Sequence, residues 1–330
     1  MRACVLFSGL GGTCLGAQQA GFETIGYELN EWAVSRANEA GCASIQADLT
    51  KMCPSDRVDV VFASPPCIGF SRCSQRADWH ADACNLTVRT AEIIKEMAPP
   101  AFALENVTDI LKSTQFASFI EILSTDYHML SFMVDASRVG CCQNRRRVFC
   151  LGVRHGDGVK DALLALVPSI QTTMQTAQRT TLGDVIPELG ERKLWLYPRH
   201  SNDVSLFSSN ECVPTLRRMA VFKPSPCVRG PACYQVGIDP SNPAPVVPDP
   251  EICARLSGFP SGYFTIRPRE VTKWGLGLGN VVPPPLQKYI ATLLAQVYTL
   301  AGTGGEGSYY HAKYTLRRRL SCASEKAGQT

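Results

Sequence analysis

A cysteine held at the end of a buried strand by two prolines is the first group in this chain with the means to do chemistry. Residues Ala63-Ser64-Pro65-Pro66-Cys67 close the apolar run Val58 to Phe62. The prolines fix φ and restrict the residue before them, so the thiol is presented by a stiff turn. A strand ending in a loop with one nucleophile is how open α/β enzymes place a reacting atom at the carboxyl edge of the sheet. Cys67 is one of 15 cysteines, and a free cysteine is more often a small buried hydrophobe. Other groups must therefore support it. Glu105, in Glu105-Asn106-Val107, closes a second apolar strand, Ala101 to Leu104. A carboxyl group there can give a proton to a ring nitrogen, or simply stand at a helix N-terminus. In Gln143-Asn144-Arg145-Arg146-Arg147 the alternation puts Arg145 and Arg147 on one face of an extended segment. Such a pair suits a carboxylate, a base oxygen or a phosphate, or else a solvated edge.

A second group of residues is suited to holding a small molecule. Phe7-Ser8-Gly9-Leu10-Gly11-Gly12 follows the first strand and precedes a helix expected to begin near Cys14. Its glycines allow close backbone approach and leave helix N–H groups free for an anionic group. The spacing is not Gly-x-Gly-x-x-Gly, so by itself it indicates a nucleotide-type cofactor or a tight strand-to-helix turn. Glu28 ends the second strand, where a carboxylate can accept from two ribose hydroxyls, and Asp48 ends the next extended segment. At successive strand ends they outline a nucleoside pocket.

The elements that must position these groups alternate as βαβ units and predict a largely parallel sheet. Strands are expected at Ala3–Phe7, Phe22–Tyr27, Val58–Ala63, Ala101–Leu104, Met129–Val134 and Val148–Val153. Helices are expected at Glu31–Glu39, Thr87–Met97 and Phe116–Leu123. From Ser169 to about Pro250 no helical period is sustained and prolines are dense, which predicts a smaller loop-rich or β-rich unit. A helix restarts at Glu251–Leu256, another runs over Pro284–Leu300, and Gly302–Gly307 reads as a linker. The division is thus 1–168, 169–250, 251–301 and a basic tail over 302–330. The 330 residues are 45% hydrophobic and 19% charged, with net charge +4, as in an ordinary soluble globule. That charge permits a nucleic-acid partner without arguing for one. An odd cysteine total with no Cys-x-x-Cys pair disfavours a disulfide framework or a zinc site and favours a reducing compartment. No signal peptide or membrane span is read, so the expectation is a soluble intracellular protein, cytoplasmic in a prokaryote or phage and open to the nucleus in a eukaryote.

Taken in order, these pieces resemble the DNA (cytosine-5) methyltransferase family over nearly the whole chain. Phe7–Gly12 is similar to the family's S-adenosylmethionine motif, and Ser64-Pro65-Pro66-Cys67 with Phe70-Ser71 to its Pro-Cys nucleophile motif. Glu105-Asn106-Val107 matches Glu-Asn-Val, and Gln143-x-Arg145-x-Arg147 matches Gln-x-Arg-x-Arg. Pro214-Thr215-Leu216, Cys253–Pro260 and Gly279-Asn280-Val281-Val282-Pro283 resemble the recognition element, the motif supporting it and the last motif beside the cofactor. The chain departs from the pattern at Ile68, where glutamine is usual, at Cys141-Cys142 in place of Gly-x-Pro, at Cys84-Asn85 before Leu86, and before Glu251. Ile68 puts target site and rate in question.

The resemblance implies a Rossmann-like α/β methyltransferase, its mostly parallel sheet flanked by helices, with a smaller recognition domain. It implies S-adenosylmethionine bound by Phe7, Gly9, Leu10, Gly11, Gly12, Glu28, Leu29, Asp48, Leu49, Pro66, Leu86, Asn280 and Val282. Phe7 would stack on adenine, Glu28 take the ribose, Asp48 the adenine amine, and Leu29 and Leu49 form walls. Cys67 would add to C6 of a flipped-out cytosine while Glu105 bonds N3 and the exocyclic amine. Arg147 would contact the base O2, and Arg145 would orient Glu105 or the Cys67 loop. Ser71, Gln143, Thr215, Arg217 and Arg218 would meet DNA. The implied partner is double-stranded DNA, with a cognate restriction endonuclease as a second; neither metal nor membrane is implied, and the chain is expected to be monomeric. A transfer-RNA cytosine-5 methyltransferase of the same fold and a non-catalytic DNA-binding relative stand as alternatives. The latter would be expected to lose Cys67, Glu105 or the arginines.

Overall fold

The structure, a computed structural model, describes residues 1–66, 80–189, 194–196, 205–214, 236–237 and 250–302. The first part runs β1 (Arg2–Leu6), α1 (Gly12–Gln19), β2 (Glu23–Glu28), α2 (Glu31–Glu39), β3 (Ser44–Gln46), β4 (Val60–Ala63), α3 (His80–Met97), β5 (Ala101–Asn106), α4 (Thr114–Leu123), β6 (Tyr127–Asp135), β7 (Gln143–Asn144) and β8 (Arg146–Arg154). There follow α5 (Val159–Leu164), α6 (Leu166–Thr176), α7 (Leu182–Val185), β9 (Leu194–Leu196), β10 (Ser205–Phe207), β11 (Val213–Pro214) and β12 (Val236–Gly237). The chain returns through α8 (Pro250–Leu256), α9 (Val271–Asn280) and α10 (Pro284–Gly302).

Seven strands form one sheet in the order β3-β2-β1-β4-β5-β8-β6. The first five pair in parallel, and β8 runs antiparallel to both β5 and β6. β4 and β5 are buried at every position, as central strands covered on both faces must be. Successive side chains point to opposite faces. Val5, Phe62 and Leu151 therefore meet Leu286, Ile290 and Leu294 of α10 on one side. Leu6, Val61, Phe102 and Leu104 meet Ile93, Ile94 and Phe119 from α3 and α4 on the other. A further cluster gathers Leu10, Phe259, Phe264, Trp274 and Leu278 beside the first turn.

All six strands expected from sequence are present, in a mixed sheet. Short strands β9, β10 and β12 pair antiparallel within the proline-dense stretch. The expectation of no helix after Ser169 is corrected, since α6 runs to Thr176 and α7 follows. Only Leu166 and Ile170 of α6 are buried, so its apolar stripe is too narrow to stand out in sequence. Helix α9 escaped notice because Gly275, Gly277 and Gly279 lower its intrinsic propensity, which the packing of Trp274 and Leu278 overrides. Among the described residues no helix is long and apolar enough to cross a membrane. The linker and tail expected beyond Gly302 lie outside the described residues.

Candidate active site

The parallel strands deliver the segments after Leu6, Glu28, Ala63 and Asn106 to one edge of the sheet. Leaving β1, Phe7 takes a left-handed φ of 60°. That is uncommon for a residue with a side chain and costs on the order of 1–3 kcal/mol. Ser8 N–H donates to the Tyr27 carbonyl at 3.0 Å, and Gly11 N–H closes the turn onto the Ser8 carbonyl at 2.9 Å. Gly11 caps α1 at φ 82°. Glu28 accepts from Gly9 N–H on Oε2 and from Asn30 N–H on Oε1, both at 2.9 Å. Its carboxylate thus ties the glycine turn to the end of β2. Each carboxylate oxygen keeps a further lone pair for a bound hydroxyl.

Asp48 accepts from the Thr50 hydroxyl at 2.6 Å and the Thr50 amide at 3.0 Å, with Lys51 Nζ at 3.1 Å. The Thr50 hydroxyl above all, then Lys51, holds the Asp48 carboxyl below its ordinary range. Leu49 beside it is buried. Around Gly9 a methyl group would meet no atom of the described residues within 4 Å, so open space faces the turn among them. Gly12 is the opposite: a Cβ there would lie 2.2 Å from the Val282 carbonyl and 3.4 Å from the Phe259 ring. Only glycine lets α1 start this close to the returning chain.

The Pro-Pro turn is fixed from beneath. Asn106 Nδ2 donates to the Pro65 carbonyl at 3.1 Å, and its Oδ1 accepts from Val107 N–H at 2.8 Å. Ser64 Oγ lies 3.4 Å from the Phe7 carbonyl and so bridges the two turns. Pro66 is the last described residue of this turn; Cys67 and Ser71 lie outside the described residues. Glu105 follows the same edge, 8% exposed, with Arg147 Nε 3.0 Å from its Oε1. The contact is an ion pair whose hydrogen-bond angle is poor, because that oxygen has no well-aligned donor. Among the described residues no three His, Cys, Asp or Glu side chains are grouped to hold a metal ion. Burial pushes the thiol of Cys141 up to about 11 and that of Cys150 up to about 12, so both behave as small hydrophobes.

A strained turn, an edge carboxylate and a paired acid are common to many α/β enzymes, and comparison with known proteins decides among them. Residues 1–218 match the family model of C-5 cytosine-specific DNA methylases. The chain belongs to that family. It is thereby a DNA (cytosine-5) methyltransferase, and the sheet and helices are those of an S-adenosylmethionine-dependent methyltransferase fold. It is 27% identical over 308 residues to the type II methyltransferase M.HindV of Haemophilus influenzae, covering 89% of this chain and 96% of that enzyme. It is 29% identical over 238 residues to M.HgiDI of Herpetosiphon aurantiacus, covering 68% and 74%. With M.NgoPII of Neisseria gonorrhoeae it shares 27% identity over 221 residues, and the match spans 63% of that enzyme's length. The S. pombe Dnmt2 methyltransferase has the same fold, with TM-score 0.61, 15% identity, and coverage of 89% of this chain and 98% of that one.

Several expected roles change in the structure of this DNA methylase. Arg145 and Arg147 do not share a face. Arg145 N–H bonds back to the Gln143 carbonyl at 2.8 Å, breaking the extended run between β7 and β8. The guanidinium of Arg145 is buried and donates to the Val281 carbonyl at 2.8 Å. Arg147, not Arg145, therefore stands on Glu105. Gln143 was expected at DNA but is fully buried, its Nε2 donating to the Leu256 carbonyl at 2.8 Å. Leu10 was expected at the cofactor, yet its side chain is 1% exposed and packs in the core with Trp274 and Leu278, leaving only its backbone for a ligand. Leu29, beside Glu28, is 63% exposed. Leu86 lies half-buried on α3, Asn280 is exposed at the end of α9, and Val282 is buried against α1. Thr215, Arg217 and Arg218 lie outside the described residues. Sequence reasoning quoted Asn106 without giving it work. The signal was there: an amide side chain ending a buried strand that is apolar from Ala101 to Leu104 has to find partners.

Proposed function

We propose that this chain methylates C5 of a cytosine flipped out of duplex DNA, through a covalent adduct between Cys67 and C6. The supporting observation is the Glu105–Arg147 pair, which stands at the sheet edge where Asn106 anchors the turn leading to Cys67. Cytosine C5 is a poor nucleophile, and addition of a thiolate to C6 raises electron density at C5. Extruding the base costs a few kcal/mol of stacking. Glu105 would hold N3 and the exocyclic amine, and Arg147 would keep Glu105 aligned while reaching the base O2. The Arg147 guanidinium at this edge would favour the thiolate form of Cys67. After C5 takes its methyl group and gives up its proton to a water acting as base, the Cys67 thiolate leaves and the ring regains aromaticity.

The residues at the first turn fit S-adenosylmethionine. Open space lies over Gly9, the α1 N-terminus is adjacent, and Glu28 is already fixed at the strand end. When bound, that cofactor supplies an electrophilic methyl group. Phe7, Glu28, Asp48 and the backbone of Gly9 to Gly12 would hold it, with Pro66, Leu86, Asn280 and Val282 nearby. The type II names of its relatives point to restriction–modification, with a cognate endonuclease as partner. The stretch 169–250 would read the target, through residues such as Arg217 and Arg218.

Duplex DNA carrying 5-fluorocytosine at its target should form a denaturant-stable adduct with the wild-type protein and none with Cys67→Ser. An adduct through another cysteine would overturn the assignment. Transfer RNA serves as the competing acceptor: methylation of it, and not of duplex DNA, would transfer the reading to the RNA branch.

A further inference from the structure

The turn that follows the recognition segment reaches the back of the glycine turn through a single thiol. Cys42 is fully buried behind Gly11, and a Cβ on Gly11 would lie 3.1 Å from both its Cβ and its Sγ. Its Sγ is 3.6 Å from the Gly11 carbonyl and 3.2 Å from the Tyr263 hydroxyl. That carbonyl also accepts the first helical bond of α1, from Leu15 N–H at 2.8 Å. Tyr263 is held on its other side by Phe259 and Phe264, with ring centroids 5.3 and 4.8 Å away. Its turn is pinned to α8, because Glu251 accepts from Gly262 N–H at 2.8 Å and from Ser261 Oγ at 3.2 Å. A hydrogen-bonded path thus runs from the first residues after the recognition segment to the residue that caps α1.

The chemistry of the pair gives it a direction. A hydrogen bond from Cys14, then one from Tyr263 and one from Leu15 N–H, bring the Cys42 thiol down to about 7 despite its burial. Burial, then Cys42 itself, pushes the Tyr263 phenol well up, so Tyr263 keeps its proton and donates. The Cys42 sulfur accepts from that phenol while its own S–H reaches the Gly11 carbonyl, so one protonated thiol links the two.

We propose that Tyr263 is a positioning residue for the cofactor turn: acting through Cys42, it holds Gly11 and the first turn of α1 in the geometry that receives S-adenosylmethionine. This rests on reading the glycine turn as the cofactor site. It adds that the segment returning from target recognition sets cofactor affinity.

The test measures binding of S-adenosylhomocysteine by calorimetry, and KM and kcat with a DNA substrate, for wild type, Tyr263→Phe, Cys42→Ala and the double variant. Tyr263→Phe keeps the ring and removes one buried hydrogen bond, so cofactor Kd and KM should rise roughly three- to tenfold. The kcat and the KM for DNA should stay near their wild-type values. In the double variant Tyr263→Phe should add nothing to Cys42→Ala, because the path is already cut. A merely structural Tyr263 would instead lower thermal stability and move both KM values together, which would overturn the proposal. Equal cofactor binding by wild type and Tyr263→Phe would also overturn it. Failure of wild type to bind S-adenosylhomocysteine would instead remove the cofactor reading beneath it.

Discussion

Asn106 joins two parts of the active site that are far apart in sequence. Its amide satisfies the Pro65 carbonyl, and its side-chain oxygen turns the chain at Val107, two residues beyond Glu105. Asn106→Ala leaves a buried carbonyl without its donor, a loss of about 1–3 kcal/mol. Chemical denaturation should show that loss. The adduct with 5-fluorocytosine DNA should form more slowly, because the turn leading to Cys67 is no longer held. Unchanged adduct kinetics would mean that the prolines alone suffice. Asn106 also shows what was readable at this scale. Cys67, Glu105, Arg145 and Arg147 were all named from their neighbours in sequence. The division of labour between the arginines was not, since it depends on a backbone bond between Arg145 and Gln143 that breaks the alternation.

At the scale of elements, α1 is placed by what it touches at each end. The Gly12 position is closed by the Val282 carbonyl, while the Gly9 position is open. Alanine at these two sites should therefore give opposite phenotypes. Gly12→Ala forces the segment 281–282 to move, an overpacking cost of about 1–3 kcal/mol visible as a lower unfolding midpoint. Gly9→Ala meets no atom of the described residues but must sit at φ 53° and projects into the space proposed for the cofactor. It should raise the Kd for S-adenosylhomocysteine more than it lowers stability; titration calorimetry beside thermal melts separates the two. The edge chemistry depends on another element-level fact. Because β8 runs antiparallel to β5, its amino end lies beside the carboxyl end of β5, with Asn106 opposite Val148. Had β8 been parallel like its predecessors, Arg147 would have arrived at the opposite edge from Glu105.

The whole molecule is closed by its returning C-terminal part. Gln143 donates to the Leu256 carbonyl, Arg145 to the Val281 carbonyl, and Tyr298 to the Asp59 carbonyl at 2.7 Å. Each joins the first half of the chain to residues beyond 250. Gln143→Leu is expected to cost about 1 kcal/mol in urea unfolding, because the Leu256 carbonyl then keeps only the weak thiol donors of Cys141 and Cys142, with the KM for DNA unchanged. A large rise in that KM would restore Gln143 to the DNA surface. Local patterns were enough to name the α/β class, the strand ends that carry chemistry, and the order of motifs that marks a cytosine-5 methyltransferase, because these depend on hydrophobic period and on neighbours in sequence. Tertiary structure decided the direction of β8, the burial of Gln143 and Leu10, the pairing of Arg147 with Glu105, and the path from Tyr263 through Cys42 to Gly11. Those features arise where segments distant in sequence, from 42 residues apart for Glu105 and Arg147 to 221 for Cys42 and Tyr263, compete for the same buried polar groups and the same volume. No local period records which of them meet.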